Sequence, residues 1–163
     1  MRALLVVVLL ALISVPSAQA RTITLNLVER TGSDYGYQPM TFKVKSVMLG
    51  KNAWSVRATL VNRSLYTYKI VPPVVNDTPS HYAFSLLWDS DCPPPANSCR
   101  LEELRATSFK PSLNTLGRGR TWTGTFGGPG LPPRGKLIYV GFGYFFASAK
   151  VRFDWVTQHG FKR

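Results

Sequence analysis

The chain has 163 residues, 45% of them hydrophobic, and a formal net charge of +12 at pH 7. A single domain of this size buries roughly two-thirds of the surface its unfolded chain exposes, so a core can form without a structural metal. Apart from the first residues, no apolar stretch approaches the roughly 20 residues of a membrane-spanning helix, which excludes a helical anchor in the body of the chain.

The N-terminal segment reads as a leader. Arg2 supplies a positive start, and an unbroken apolar run follows from Ala3 to Ile13. Pro16 then breaks it, and Ala18-Gln19-Ala20 puts small residues at a cleavage site. This pattern is that of a secretory signal peptide over residues 1–20, cut after Ala20. It leaves one domain over residues 21–163, secreted or periplasmic, with a net charge of +11 once Arg2 is gone. No cysteine at the cleavage site and no apolar C-terminal tail point to a lipid or other anchor.

From there the pattern is alternation with period two, the mark of half-buried antiparallel strands. Ile23, Leu25 and Leu27 oppose Thr22, Thr24 and Asn26. Met40, Phe42, Val44, Ser46 and Met48 form one expected face, against Thr41, Lys43 and Lys45. Trp54, Val56, Ala58 and Leu60 alternate with Ser55, Arg57 and Thr59. Further strands are expected at Tyr66–Val71, Tyr82–Trp88, Thr121–Phe126, Lys136–Phe146 and Lys150–Val156, and one short helix at Arg100–Thr107. Gly50-Lys51-Asn52, Asn62-Arg63-Ser64, Gly117-Arg118-Gly119 and Gly127-Gly128-Pro129-Gly130 read as turns. Pro72-Pro73 and Pro132-Pro133 end strands or guard edges. The four tryptophans and nine phenylalanines suit a core between two sheets, with each indole N–H seeking a partner. The expected architecture is all-β, an antiparallel sandwich of about seven to nine strands.

Two segments carry a family resemblance. Trp54-Ser55-Val56-Arg57-Ala58-Thr59-Leu60-Val61-Asn62-Arg63-Ser64 resembles the strand and Asn-x-Ser corner of small secreted immunoglobulin-like domains of bacteria. Leu116-Gly117-Arg118-Gly119-Arg120-Thr121-Trp122-Thr123-Gly124-Thr125-Phe126 resembles their later turn and polar-aromatic strand. The resemblance implies an immunoglobulin-like sandwich without catalysis and supplies no site residues.

Cys92 and Cys99 are the only cysteines. Outside the cytoplasm such a pair is expected to be bonded, closing the proline-rich stretch between them. Loop closure at this length contributes about 2–3 kcal/mol, less where prolines already restrict the unfolded loop. Two cysteines and two distant histidines form no closed zinc set.

Charge is unevenly placed. Residues 21–76 carry eight basic and two acidic side chains, and residues 105–163 ten basic against Asp154 alone. Between them, Arg100 faces Asp77, Asp89, Asp91, Glu102 and Glu103. Arg118, Arg120, Arg134, Lys136, Lys150 and Arg152 sit near glycines and aromatics and are the candidate contacts for a polyanion. An exported protein meets anionic cell-envelope polymer rather than nucleic acid. The competing explanation is that these cations solvate outer sheet faces and blunt edges. Asp89 and Asp91, on the same side of an extended chain, are a weak calcium candidate without EF-hand spacing; no other metal and no cofactor is expected.

Catalysis has little to work with. His81 and His159 are the only histidines, and no serine lies in a G-x-S-x-G elbow. The sequence therefore points to a non-enzymatic binding module at the cell exterior. The alternatives are a hydrolase inhibitor presenting the Cys92–Cys99 loop, or a small hydrolase. Asn62-Arg63-Ser64 and Asn76-Asp77-Thr78 also match the N-glycosylation acceptor.

Overall fold

A computed structural model describes residues 20–31, 39–70, 84–90, 101–147 and 152–163. The described residues form antiparallel strands and no helix: β1 Arg21–Thr31, β2 Met40–Leu49, β3 Ala53–Asn62, β4 Tyr68–Ile70, β5 Phe84–Asp89, β6 Leu101–Arg105, β7 Ser108–Lys110, β8 Thr115–Leu116, β9 Thr121–Pro129, β10 Leu137–Phe146, β11 Arg152–Val156 and β12 Phe161–Lys162. That is more strands than the seven to nine expected, because β7, β8 and β12 are too short to show an alternation. Residues 1–19 of the leader, His81, Asn76, Asp91, Cys92, Cys99 and Lys150 lie outside the described residues.

The front sheet has the order β1-β2-β3-β9-β7. The back sheet is organised on β10. Phe145 of this strand pairs with both Ile70 of β4 and Phe153 of β11, and Phe142 with both Phe84 of β5 and Trp155 of β11. So β5 and β4 share one edge of β10, while β11 and β12 follow one another along its other edge. β6 and β8 complete the sheet beyond β5 and β4.

Aromatic rings join the two layers. Phe42 of β2 stacks on Phe142 of β10 at 4.5 Å between centroids, and on Phe153 at 5.4 Å. Phe84 of β5 stacks on Phe126 of β9 at 4.5 Å and meets Phe109 edge-on at 4.9 Å. Offset and edge-to-face pairs of this kind add about 0.5–1.5 kcal/mol each beyond the area they bury. Phe42, Phe84, Phe126, Phe142, Phe145 and Phe153 are all buried to 1% exposure or less.

Bulges decide which side chains reach this core. In β2 the register slips between Val44 and Ser46, placing an extra residue against β3. A one-residue slip reverses the facing of everything beyond it. Val47 and Leu49 are therefore buried, while Met48 is 46% exposed. The expected face through Ser46 and Met48 holds only as far as Val44. A similar slip in β10 between Phe142 and Phe145 turns both of those rings inward. In β1, Asn26 takes a positive φ of 50° within a third bulge.

Two other expectations are corrected. Residues 101–105 are a strand, not a helix: β6 pairs with β5 over its whole length, Trp88 opposite Glu102. Gly127-Gly128-Pro129 is the end of β9, and the turn begins only at Gly130, where φ is +86°. The glycines are needed for close approach, since a Cβ on Gly127 would collide with the Trp54 carbonyl oxygen. The turns at Gly50-Lys51-Asn52 and Gly117-Arg118-Gly119 are present, closed by Gly50 N–H to Ala53 O at 2.8 Å and Arg120 N–H to Gly117 O at 3.0 Å.

Asn62 closes one end of the sandwich. Its side chain is fully buried, and Nδ2 donates to the carbonyls of Tyr66, Leu116 and Gly117 at 2.7, 3.0 and 3.1 Å. Its Oδ1 accepts from the Ser64 N–H at 2.9 Å and the Ser64 hydroxyl at 2.7 Å. One amide thus fastens the end of β3 to the approach to β4 and to the turn after β8. The Asn-x-Ser triplet is a packing corner, and its amide nitrogen has no room for a glycan in the folded chain. Asn62→Ala removes this hub and strands three carbonyls, so urea unfolding should show a loss of about 2–4 kcal/mol; an unchanged midpoint would show that the corner is dispensable.

Tyr68, next to this hub, is fully buried, and its hydroxyl has no partner at hydrogen-bond geometry. Burial pushes its pKa above the usual 10.0, a shift that Ser64 opposes in part and Tyr66 reinforces. The folded state therefore holds the phenolic proton more tightly than the unfolded chain. The resulting stability is complete below pH 10 and declines as the pH rises past it. Tyr68→Phe should leave stability at pH 8 unchanged or raise it by about 1 kcal/mol, and should flatten the alkaline decline. Urea midpoints at pH 8 and pH 11 for both proteins test this; a less stable variant at pH 8 contradicts it.

Candidate functional site

The end of the sandwich opposite Asn62 is the β2–β3 hairpin end. Arg21 opens β1 directly across from Leu49 at the close of β2. The hairpin turn carries Lys51, and Gly130 N–H donates to Asn52 O at 2.9 Å, fastening the end of β9 to that turn. The chain then runs through Leu131 to Lys136 before β10 begins. After β12, the Arg163 guanidinium donates to the Pro132 carbonyl through Nη1 at 2.6 Å, which docks the last residue on the same loop.

These four segments enclose a cleft of about 490 Å³ lined by Arg21, Leu49, Gly50, Lys51, Leu131, Arg134 and Arg163. Four of the seven are cations, and none of the lining residues is acidic. A cleft of this volume is about 10 Å across, a distance at which two like charges repel by about 0.4 kcal/mol in a water-like dielectric. Four cations therefore carry a mutual repulsion that a bound multivalent anion relieves. Leu49 and Leu131 supply an apolar wall beside the charges.

Leu131 also borders a second cleft of about 320 Å³, with Trp88, Asp89, Ser90, Glu102, Pro133 and Lys136. Glu102 Oε2 accepts from Trp88 Nε1 at 3.0 Å. Asp89, the described half of the calcium candidate, thus shares its cleft with the cation Lys136. Among the described residues, no group of three or more His, Cys, Asp or Glu side chains is placed to hold a metal.

The expected polyanion contacts are divided by the fold. Arg118 and Arg120 lie in the turn that bonds to Asn62, whose N–H donates to Arg120 O at 3.0 Å. Arg134 lies at the far end, beyond the pairing of Ala53 with Pro129. The ten residues of β3 from Ala53 to Asn62 separate the two ends by about 30 Å at strand rise. Lys136 faces the acidic cleft, and Lys150 and the side chain of Arg152 lie outside the described residues. Of the four candidates whose side chains are described, Arg134 alone lines the basic cleft. Arg21, Lys51 and Arg163 were missed because they come from distant parts of the chain. The available signal was strand parity: in a hairpin closed at Gly50-Lys51-Asn52, the start of β1 must return to the same end.

His159 is exposed, and its Nδ1 is 3.9 Å from Glu29 Oε1. Glu29 is buried and already engaged. Its Oε2 accepts from Trp155 Nε1 at 2.7 Å, and its Oε1 accepts from the Gln158 N–H at 2.8 Å. This carboxylate ties β1 of the front sheet to β11 of the back sheet as a clasp. Three of the four indoles find partners, with Trp122 donating to Pro111 O at 3.0 Å. Trp54 Nε1 is buried without one.

No protein-family model, curated protein or solved structure matches this chain.

Glu29→Gln places an amide NH₂ against one of two N–H donors. It should lower stability by about 1–3 kcal/mol in urea unfolding, whereas His159→Ala, at an exposed site, should cost less than about 0.5 kcal/mol. Equal effects for the two variants would contradict the clasp.

Proposed function

We propose that this protein is an extracytoplasmic, non-enzymatic immunoglobulin-like β-sandwich that binds anionic cell-envelope polymer through the basic cleft at its hairpin end. The observation that carries the reading is the convergence of Arg21, Lys51, Arg134 and Arg163 on one cleft with no acidic lining residue. The leader-like residues 1–20 support export to where such polymers occur, and a net charge of +11 on the remainder favours attraction to them. The cleft suits repeated phosphate or carboxylate groups, because guanidinium forks pair with two oxygens at a time. Neighbouring units of the polymer remain in solvent, so contact needs no deep enclosure and is sensitive to salt.

Retention on an immobilised polyphosphate or heparin column tests this. The protein should bind at low ionic strength and elute as salt rises. Lys51→Ala with Arg134→Ala should elute at clearly lower salt, and Arg118→Ala with Arg120→Ala should change elution less. No retention at low salt, or equal shifts from the two pairs, would sink the assignment to this cleft.

A further inference from the structure

The basic cleft includes the first residue after the expected leader. Arg21 lines it, and its backbone is held there by pairing with Leu49, another lining residue. Ala20, exposed and just ahead of β1, is the last residue of the leader-like segment. While the two are joined, the Arg21 nitrogen is an uncharged amide with a single N–H. Hydrolysis of the Ala20–Arg21 bond adds water, leaves a carboxylate on Ala20 with the departing leader, and frees the Arg21 nitrogen as an amine that takes up a proton.

We propose that leader removal completes the anion site: the new α-ammonium of Arg21 becomes a fifth cation of the cleft, and the ligand class is an oligophosphate or phosphodiester-bearing anion. This rests on the reading of the cleft as an anion site. The α-ammonium is well suited to the role. It brings three donors on a strand already fixed by its pairing, so little conformational freedom is lost on binding. The side-chain cations beside it must order long flexible stems to do the same.

The other charged residues that line the cleft come from each segment packed there: Lys51 from the hairpin turn, Arg134 from the loop before β10, and Arg163 after β12. A chain that ends at Arg163 adds its terminal carboxylate. Asp89, Glu102 and Lys136 stand in the adjoining cleft across Leu131. An α-amino group ordinarily titrates at about 7.7–8.0, whereas arginine and lysine side chains as a class titrate far higher. Proton loss from the new terminus therefore gives the processed site a pH dependence that the unprocessed chain lacks.

The test compares residues 21–163 bearing a free amine with the same chain carrying a Gly-Ser-Gly-Ser extension ahead of Arg21, which moves the ammonium about 13 Å away along extended chain. The residues of the hydrophobic core all lie between Met40 and Phe161, so both proteins retain it. Tripolyphosphate binding is measured by calorimetry at low salt, at pH 6.5 and pH 9. The ratio of the two affinities at each pH cancels the titration of the probe itself. The free-amine protein should bind about fivefold to tenfold more tightly at pH 6.5, in line with one added charge-assisted contact, and the ratio should fall toward one at pH 9. Lys51→Ala with Arg134→Ala should weaken binding in both proteins at both pH values. Equal affinities at pH 6.5, with that double variant still weakening binding, overturn the role of the terminus and leave the cleft standing. If the double variant has no effect, the cleft reading falls and the inference with it.

Discussion

The contact between Phe42 and Phe142, with Phe84 against Phe126 beside it, sets the spacing on which the rest of the molecule depends. Both pairs cross from one sheet to the other at 4.5 Å between ring centroids. Phe142 meets both Phe84 and Phe126 at 5.8 Å, so the two pairs form one continuous cluster. Interiors are close-packed, and such a cluster fixes where each strand sits to within a fraction of a residue. The bulges in β2 and β10 follow from this. Each spends one extra residue to bring a second set of apolar side chains onto the inner face, Val47 and Leu49 in one strand and Phe145 in the other.

With the sheets fixed, the two ends of the sandwich are treated in opposite ways. At one end the Asn62 amide satisfies the carbonyls of Tyr66, Leu116 and Gly117, so the backbone there is closed by internal hydrogen bonds. At the other end the loops are fastened to one another by the Gly130–Asn52 backbone bond and the Arg163–Pro132 contact, around a cleft lined by positive charge. A closed polar corner contributes stability. An open cationic cleft costs stability through self-repulsion, and that cost is a reason to read it as a place where something binds.

The amount legible in the sequence followed the regularity of each strand. β3 keeps its alternation from Trp54 to Asn62, and its inward face was readable from Trp54 to Leu60, while Asn62, read as a turn residue, is its last inward position. β2 was readable only as far as its bulge, because a bulge leaves no mark in composition and reverses the meaning of every residue beyond it. β6 was mistaken for a helix because Leu101-Glu102-Glu103-Leu104-Arg105 has good helix formers and its strand character comes only from pairing with β5. Gly127-Gly128 looked like a turn, but the glycines serve close approach inside β9. The site fared worse than the fold. Charge runs along the sequence identified Arg118 and Arg120 with Arg134, yet the ladder of β3 holds them at opposite ends. The cleft brings together residues 21, 51, 134 and 163, a set defined only by topology.

The proposed anion binding rests on the same asymmetry. A strongly basic domain attracts anions everywhere on its surface, and that general pull carries no address. An address requires several cations gathered around one volume, and the hairpin end gathers Arg21, Lys51, Arg134 and Arg163 around one cleft. The most direct measurement is a map of amide and side-chain NMR shifts during titration with tripolyphosphate at low salt. The account predicts the largest changes at Arg21, Lys51, Leu131, Arg134 and Arg163, with Arg118 and Arg120 nearly unmoved. Changes spread evenly over all exposed cations, or centred on the Arg118–Arg120 turn, would contradict it.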